Sequence, residues 1–100
     1  MTEKELRIKI INCYKTLESR GLGQGTSGNV SVRNGDIMLI TPSAVPLQVI
    51  KEEMISIVSI KGPADFKGPM RPSTEWRFHR ALYQRGDVGA VIHFHSPYAT

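Results

Sequence analysis

Apolar side chains recur every three or four positions in the first twenty residues. They stand at Leu6, Ile10, Cys13 or Tyr14, and Leu17. Thr2 and Glu5, three positions apart, form the pair that is typical of a capping box at a helix start. Arg20 and Gly21 end the pattern. We therefore predict an amphipathic helix over residues 2–20.

Two apolar-rich runs flank an Asn-Gly pair in the next part of the chain. Val30–Arg33 and Asp36–Ile40 are separated only by Asn34 and Gly35. Asn-Gly between two such runs is a strong signal for a tight turn between antiparallel strands. The pattern predicts a β-hairpin here.

The rest of the chain alternates loops with further predicted elements. These are a turn at 41–46, a short helix within 47–54, a strand over 55–60, a Gly/Pro-rich loop to Pro72, a helix capped by Ser73 that runs to about Arg85, and an apolar strand over Val88–Phe94. Hairpins beside helices favour an α+β or α/β layer built on a largely antiparallel sheet. Without a repeat or a linker, residues 1–100 are predicted to form one domain.

Composition narrows the class of protein. With 40% hydrophobic and 22% charged residues, the chain matches a soluble globular protein and not a disordered or fibrous one. Its longest aliphatic run, residues 37–40, is far shorter than the roughly 20 apolar residues of a membrane helix, and the N-terminus lacks a signal-peptide pattern. We expect a cytoplasmic protein with no membrane partner. Cys13, the single cysteine, is expected to be a small buried hydrophobe.

The net charge of +4 would suit nucleic acid or a small anionic substrate. The basic residues run from Lys4 to Arg85 without a block of like charge, and no aromatic residues alternate with them. We therefore expect no nucleic-acid partner and favour a phosphorylated metabolite.

Metal-binding side chains stand near the end of the chain. His93 and His95 are two positions apart in a predicted strand, so their imidazoles point to one face and suit a divalent metal such as zinc. A catalytic zinc site needs three protein ligands, and ordinary polar residues at a strand end are the alternative. Glu75, in the predicted first turn of the second helix, is a candidate ligand or general base, or a plain cap-region acid. His79 shares its helix face as a possible third ligand, although a packed histidine is the commoner outcome.

Gly23-Gln-Gly-Thr-Ser-Gly28 matches a dinucleotide-binding fingerprint in letters only, because a helix precedes it and a hairpin follows. What remains is a glycine-rich loop that either binds an anion through its N–H groups or merely connects two elements. Thr41-Pro-Ser43 and Ser73-Thr74 also offer hydroxyl and N–H groups. Three such segments in one small domain favour a phosphate ligand.

Four segments together resemble the signatures of the class II aldolase/adducin family. They are Gln24-Gly-Thr-Ser-Gly-Asn-Val-Ser-Val-Arg33, Leu39-Ile-Thr-Pro-Ser43, Pro72-Ser-Thr-Glu-Trp-Arg-Phe-His79 and Ala90-Val-Ile-His-Phe-His-Ser96. The resemblance covers nearly the whole chain in the right order. It implies an α/β/α three-layer sandwich on a mainly antiparallel sheet, assembled as a homotetramer with active sites between subunits.

The resemblance also implies roles for individual residues. His93 and His95 match two of three zinc histidines, and Glu75 matches the acid/base that also approaches the metal. The positions that receive the substrate phosphate are Gly28, Asn29, Ser43, Ala44, Ser73 and Thr74. Zinc would act as a Lewis acid on the hydroxy-ketone oxygens. The implied reaction is aldol cleavage of a sugar phosphate, nearest to L-fuculose 1-phosphate, which gives dihydroxyacetone phosphate and L-lactaldehyde.

The chain departs from the family pattern in three ways. Ala44 stands where the family often has Gly, and positive φ there would cost about 1–2 kcal/mol and weaken phosphate binding. Thr74 replaces the commoner Ser but keeps the hydroxyl. The family continues beyond Thr100 for about as long again, through its third zinc histidine, so we expect the chain to correspond to the N-terminal portion.

Two other functions stay open at this level. One is a pentulose-phosphate 4-epimerase of the L-ribulose-5-phosphate type, although such members tend to have Asp in place of Glu75; related dehydratases and decarboxylases belong with it. The other is a non-enzymatic, adducin-like interaction domain. Retention of Glu75, His93 and His95 argues against that second alternative, since an interaction domain has no need of metal ligands.

Overall fold

Two α-helices and five β-strands form the described part of the chain. The structure is a computed structural model, and it describes residues 2–20, 28–43, 45 and 49–93. In chain order the elements are α1 (Glu3–Ser19), β1 (Asn29–Asn34), β2 (Ile37–Ile40), a 3-10 turn (Glu52–Met54), β3 (Ser56–Ser59), β4 (Phe66–Lys67), α2 (Trp76–Tyr83) and β5 (Ala90–His93). None of the described helices is both long enough and apolar enough to cross a membrane.

The strands form one antiparallel sheet in the order β4-β3-β2-β1-β5. Ser31 on β1 lies opposite Ile40 of β2 on one side and Val91 of β5 on the other. Because side chains alternate between the two faces of a strand, these three residues share one face of the sheet. The prediction of a largely antiparallel sheet is confirmed.

Helix α1 covers the face of the sheet opposite Ser31. Thr2 and Glu5 form the predicted capping box: the Glu5 N–H donates to Thr2 Oγ1 at 3.1 Å, and the Thr2 N–H donates to Glu5 Oε1 at 3.4 Å. The buried apolar side chains on this side are Ile10, Ile11, Tyr14, Val30, Leu39, Val45, Ile50 and Ile55. Cys13 is half-buried and packs against them, which is less burial than its sequence context predicted.

Helix α2 covers the other face and completes three layers. The buried apolar side chains there are Met38, Ile40, Val58, Ile60, Tyr83 and Val91. Arg33 reaches across from β1 and donates to the Tyr83 carbonyl at 3.0 Å, at the end of α2. A cation at a helix C-terminus is favoured by the exposed carbonyls and the helix dipole. The arrangement of one helix on each face agrees with the expected α/β/α sandwich.

Two local predictions are wrong in detail. Asn34 pairs with Ile37, so Gly35 and Asp36 are the central turn residues and Asn34 belongs to β1. The predicted loop to Pro72 contains β4, whose two residues are too few to show a period. The short helix predicted within 47–54 is confirmed as the 3-10 turn Glu52–Met54.

The second helix also begins later than predicted. Glu75 is its N-cap residue and Trp76 its first helical residue. Ser73 lies before the helix in a turn, where its Oγ accepts from the Glu75 N–H at 3.2 Å and its carbonyl accepts from the Trp76 N–H at 3.0 Å. The backbone N–H of Ser73 is used in pairing with Thr41, which holds this residue in an extended segment and delays the helix.

Candidate active site

Two of the segments predicted to receive a phosphate lie side by side. Pro42 and Pro72 form an antiparallel bridge. On either side of it, the Ser43 N–H donates to the Arg71 carbonyl at 2.8 Å and the Ser73 N–H donates to the Thr41 carbonyl at 2.9 Å. Residues about 30 positions apart in the sequence therefore meet directly before α2, next to Glu75.

A surface cavity of about 390 Å³ opens at this junction. Ser43 and Thr74 line it, together with Arg71 and Arg77. The Arg77 guanidinium carbon lies 4.7 Å from the centre of the Trp76 ring, a cation–π contact that restrains this cationic side chain. Two guanidinium groups beside the hydroxyl groups of Ser43 and Thr74 make the cavity suitable for an anionic ligand.

The sequence reasoning gave no role to either arginine of this cavity. Arg77 stands inside a quoted family motif, and Arg71 directly precedes it. Neither the spacing of these arginines nor a motif around Pro72 and Trp76 indicates an anion-binding site. Only the pairing of the two segments shows that both line the same cavity as Ser43.

The start of α2 lies against the end of β5. Glu75 is half-buried at the helix start and makes no capping hydrogen bond with its side chain. One turn further along α2, the centre of the Phe78 ring lies 5.5 Å from the centre of the His93 ring. This contact places the half-buried His93 beside the first turn of α2.

His79 is a buried structural histidine. Its side chain is 0% exposed, and both ring nitrogens have hydrogen-bond partners. Nδ1 lies 2.6 Å from Ser31 Oγ, and Nε2 contacts Asn29 Oδ1. Burial, with a smaller contribution from nearby His93, lowers the pKa of His79 from 6.5 to about 4. Because both ring nitrogens are hydrogen-bonded, His79 has no ring atom to offer as a third metal ligand. Of the two roles predicted for His79, metal ligand or packed histidine, the structure therefore supports the packed histidine.

Asn29 and Ser31 belong to a buried polar cluster that the sequence reasoning missed. Ser31 Oγ also lies 2.7 Å from the Tyr83 hydroxyl, and Asn29 Nδ2 lies 3.5 Å from His93 Nδ1. Asn29 and Ser31 alternate with valines along β1, a pattern that normally indicates a solvent-facing polar side. Here α2 covers that side, and the alternation would have identified the cluster only if the helix position had been known.

The described residues supply part of a zinc donor set. An imidazole from His93 and a carboxylate from Glu75 are donor types that zinc accepts. Within the ranges that the structure describes, no three histidine, cysteine, aspartate or glutamate side chains group closely enough to hold a metal ion. His93 and Glu75 are therefore suitable zinc ligands by type. The third protein ligand would have to come from outside the described residues.

Several predicted site residues lie outside the described residues. His95 follows the last described position, Ala44 falls between two described segments, and most of the glycine-rich loop is also outside. Gly28, the last glycine of that loop, is described and is buried directly before β1. Its predicted phosphate contact, like those of the other phosphate-binding candidates, stays a prediction.

Comparison with known proteins identifies the family of this chain. A family model described as "Class II Aldolase and Adducin N-terminal domain" matches residues 8–100. A 5-methylthioribulose-1-phosphate/5-deoxyribulose-1-phosphate aldolase of Rhodospirillum rubrum is 46% identical over 96 residues, which are 95% of this chain and 42% of that protein. An L-fuculose phosphate aldolase of Escherichia coli K12 is 44% identical over 101 residues, 100% of this chain and 46% of that protein.

Solved structures show the same fold. An L-fuculose 1-phosphate aldolase superposes with a TM-score of 0.86 at 38% identity, over 95% of this chain and 46% of that one. The L-fuculose-1-phosphate aldolase from Thermus thermophilus gives a TM-score of 0.79 at 31% identity, over 94% of this chain and 47% of that one. The chain spans less than half the length of the curated relatives that it matches. It belongs to the class II aldolase and adducin family, and its sheet and two helices have the fold of that family's aldolases.

Proposed function

We propose that the full-length protein containing this chain is a zinc-dependent aldehyde-lyase that cleaves L-fuculose 1-phosphate to dihydroxyacetone phosphate and L-lactaldehyde. The observation that carries this proposal is the pairing of residues 41–43 with 71–73 directly before Glu75. This pairing joins two candidate phosphate-binding segments to the candidate acid/base, Glu75, at the start of α2. A ketose 1-phosphate needs such an arrangement, because its phosphate and its reacting carbons lie a few bonds apart.

Each part of the site has a separate task in this proposal. The hydroxyl groups of Ser43, Ser73 and Thr74, together with Gly28, Asn29 and Ala44, hold the phosphate. The exposed guanidinium groups of Arg71 and Arg77 add positive charge at the same cavity. Holding the phosphate orients the sugar so that its reacting carbons face Glu75.

The metal would be held by His93, His95 and, before substrate binds, Glu75. When bound, zinc supplies Lewis-acid polarisation of the hydroxy-ketone oxygens. Cleavage breaks the bond between C3 and C4 of the sugar, removes the proton of the C4 hydroxyl and adds a proton at C3. We assign proton transfer at the reacting carbons to Glu75, whose side chain is half-buried and makes no capping hydrogen bond at the start of α2.

One observation favours a second substrate of the same chemical class. The Rhodospirillum rubrum relative is named for 5-methylthioribulose 1-phosphate and 5-deoxyribulose 1-phosphate. These sugars share the 1-phosphate and the neighbouring ketone with L-fuculose 1-phosphate and differ at the far end. The residues proposed to bind the phosphate and act on the proton would serve either sugar.

The proposal is tested by incubating the zinc-loaded full-length protein with each sugar and measuring the release of dihydroxyacetone phosphate. We expect cleavage of L-fuculose 1-phosphate, with about 10²–10⁴-fold lower kcat for Glu75→Gln and bound zinc retained. Glu53→Gln is the matched control, because Glu53 is exposed in the 3-10 turn on the α1 side. His93→Ala is expected to abolish zinc binding.

Three results would change the assignment. Full turnover by Glu75→Gln would remove this residue from proton transfer. Cleavage of 5-methylthioribulose 1-phosphate alone would move the activity to the second substrate. Interconversion of L-ribulose 5-phosphate with its 4-epimer, without release of dihydroxyacetone phosphate, would assign the epimerase function instead.

The assembly forms a second part of the proposal. We infer a homotetramer in which a neighbouring subunit approaches each site, as the family resemblance implies. Analytical ultracentrifugation of the full-length protein tests this part, and a monomer would contradict it.

A further inference from the structure

The two guanidinium groups at the surface cavity differ from those of two other arginines beside α2. Arg33 and Arg80 donate to backbone carbonyls, so their donors are used within the protein. The guanidinium groups of Arg71 and Arg77 form no ion pair and no hydrogen bond with another of the residues that the structure describes. Since each guanidinium carries five N–H donors, both groups can bind a ligand at the cavity.

The charge of this cavity favours a phosphate monoester. None of the described residues that line it is an aspartate or a glutamate, so no carboxylate in the lining neutralises Arg71 and Arg77. The hydroxyl groups of Ser43 and Thr74 line the same cavity. A phosphate monoester carries about 1.5 to 2 negative charges at pH 7 and accepts hydrogen bonds through three oxygens. Two positive charges beside two hydroxyl groups therefore match this ligand in both charge and hydrogen bonding.

The two guanidinium groups differ in how firmly they are held before a ligand binds. The Arg71 carbonyl accepts from the Ser43 N–H at 2.8 Å, which fixes the backbone of Arg71 and leaves its side chain free to change rotamer. The guanidinium carbon of Arg77, in contrast, lies 4.7 Å from the centre of the Trp76 ring. A side chain that is already ordered loses less rotamer entropy when it binds a ligand. We therefore expect Arg77 to contribute more to phosphate binding than Arg71.

The Trp76 ring is itself held from two directions. It is half-buried and packs against the apolar core on the α2 side. The Phe66 ring of β4 meets it in a T-shaped contact, with 4.9 Å between the ring centres and 72° between the ring planes. Phe66 lies opposite Val58 in the β3–β4 register, so both side chains are on the face of the sheet that α2 covers. The two-residue strand β4 thus supports the ring that contacts the Arg77 guanidinium.

We propose that Arg77 is a specificity-determining residue, which binds the phosphate of the substrate from its place on the Trp76 ring and so selects phosphorylated sugars. Trp76, supported by Phe66, is the positioning residue for this guanidinium. The inference deepens the proposed function, on which the identity of the anion as a sugar phosphate rests. A guanidinium can donate two parallel hydrogen bonds to two phosphate oxygens, which a single hydroxyl group cannot do.

A general effect of net charge predicts a different pattern of mutational effects. If only net charge attracted the phosphate, the loss of any exposed arginine would weaken binding to the same extent. Arg85 allows this comparison, because it is exposed beyond the end of α2, forms an ion pair with Asp87 at 3.5 Å and does not line the cavity. A directed contact with the phosphate instead makes the loss of Arg77 the largest of these effects.

Binding of inorganic phosphate to the full-length protein, measured by titration calorimetry, tests the contact. We expect Arg77→Gln to weaken binding about 10–100-fold, because hydrogen bonds to a charged group are lost. Arg71→Gln should weaken it about 2–5-fold, since this guanidinium must be ordered on binding. Arg85→Gln, the matched control with the same change of charge, should bind phosphate within about twofold of the wild type. The KM for L-fuculose 1-phosphate should rise in the same order among the three variants.

A double-mutant cycle tests the positioning role of Trp76. Trp76→Leu should weaken phosphate binding about 2–5-fold through loss of the cation–π contact, and Trp76→Phe, which keeps an aromatic face, should recover most of the affinity. In the Arg77→Gln background, Trp76→Leu should cause no further loss, because the ring acts on the phosphate only through the guanidinium. Losses that multiply in the double variant would overturn the positioning role.

The outcomes separate this inference from the proposed function. Equal phosphate affinities of Arg77→Gln and Arg85→Gln, or no phosphate binding by the wild type, would overturn the inference, while cleavage of L-fuculose 1-phosphate would still support the proposed function. Phosphate binding that depends on Arg77, without cleavage of either sugar, would support the phosphate contact and contradict the proposed function. Arg77 is exposed, so Arg77→Gln keeps the inference falsifiable even if Trp76→Leu does not fold.

Discussion

At the residue scale, His79 shows how burial changes what a titratable side chain can do. The ring lies on the sheet-facing side of α2 and is 0% exposed, between Asn29 and Ser31. Burial disfavours the charged imidazolium, and nearby His93 disfavours it further, so the pKa falls to about 4. At neutral pH the side chain is therefore an uncharged hydrogen-bonding group.

The lowered pKa predicts a loss of stability in acid. Between about pH 6.5 and pH 4 the unfolded chain takes up a proton on His79 that the folded chain does not, so the free energy of unfolding falls as the pH falls through this range. The loss from this group amounts to about 3 kcal/mol when complete. Urea unfolding of the wild type and His79→Gln at about pH 7, 5.5 and 4.5 checks this prediction. The stability difference between the two proteins should shrink in acid, and a difference independent of pH would contradict it.

At the scale of an element, the β1–β2 hairpin depends on the backbone of its first turn residue. Gly35 has a φ of 65°, in the left-handed region, and a Cβ added there would meet no atom within 4 Å. Turns of two residues between antiparallel strands favour this conformation because it follows the strand twist. The requirement for glycine is therefore conformational and not a matter of space.

Gly35→Ala is expected to lower the free energy of unfolding by about 1–2 kcal/mol through backbone strain. The matched control is Gly89→Ala, since Gly89 also has open space around it but is not among the glycines with positive φ. That change should be neutral or slightly stabilising, because alanine restricts the unfolded chain. Urea denaturation measures both, and equal effects of the two substitutions would show that the turn imposes no strain.

At the scale of the whole molecule, the sheet separates two apolar cores, each closed by one helix. Ile10 of α1 is 1% exposed in the core on its side, whereas Ile8 of the same helix is 37% exposed. Arg7 strengthens this docking by donating to the carbonyls of Glu52 and Ile55 at 2.8 and 3.0 Å. The first helix is thus attached to the sheet by apolar contacts and to the segment directly before β3 by hydrogen bonds.

Ile10→Ala is expected to lower the free energy of unfolding by about 2–5 kcal/mol, because the sheet cannot collapse fully into the cavity that remains. Ile8→Ala makes the same chemical change in the same helix at an exposed position and should cost about 0.5 kcal/mol or less. Thermal and urea unfolding compare the two. Similar losses of unfolding free energy in Ile10→Ala and Ile8→Ala would mean that α1 does not pack against the sheet through the face that carries Ile10.

Local patterns predicted most of the helices and strands that the structure describes. The capping box of α1 and the strands around Gly35 depend on contacts between near neighbours, so the sequence contains their signals directly. The two-residue strand β4 and the late start of α2 depend on pairing with distant segments. No local pattern reports such pairing, and the sequence reasoning missed both.

The sequence by itself determined the alternation of helices and strands, the family and the candidate residues Glu75 and His93. Only the tertiary structure decided what surrounds them. It brought Ser43 against the segment before α2, and it placed Arg71 and Arg77 at the surface cavity that Ser43 lines. It also turned the polar side of β1 toward His79. The physical reason is that burial and hydrogen-bond partners arise from segments far apart in the chain, whereas propensity and periodicity report only on neighbours.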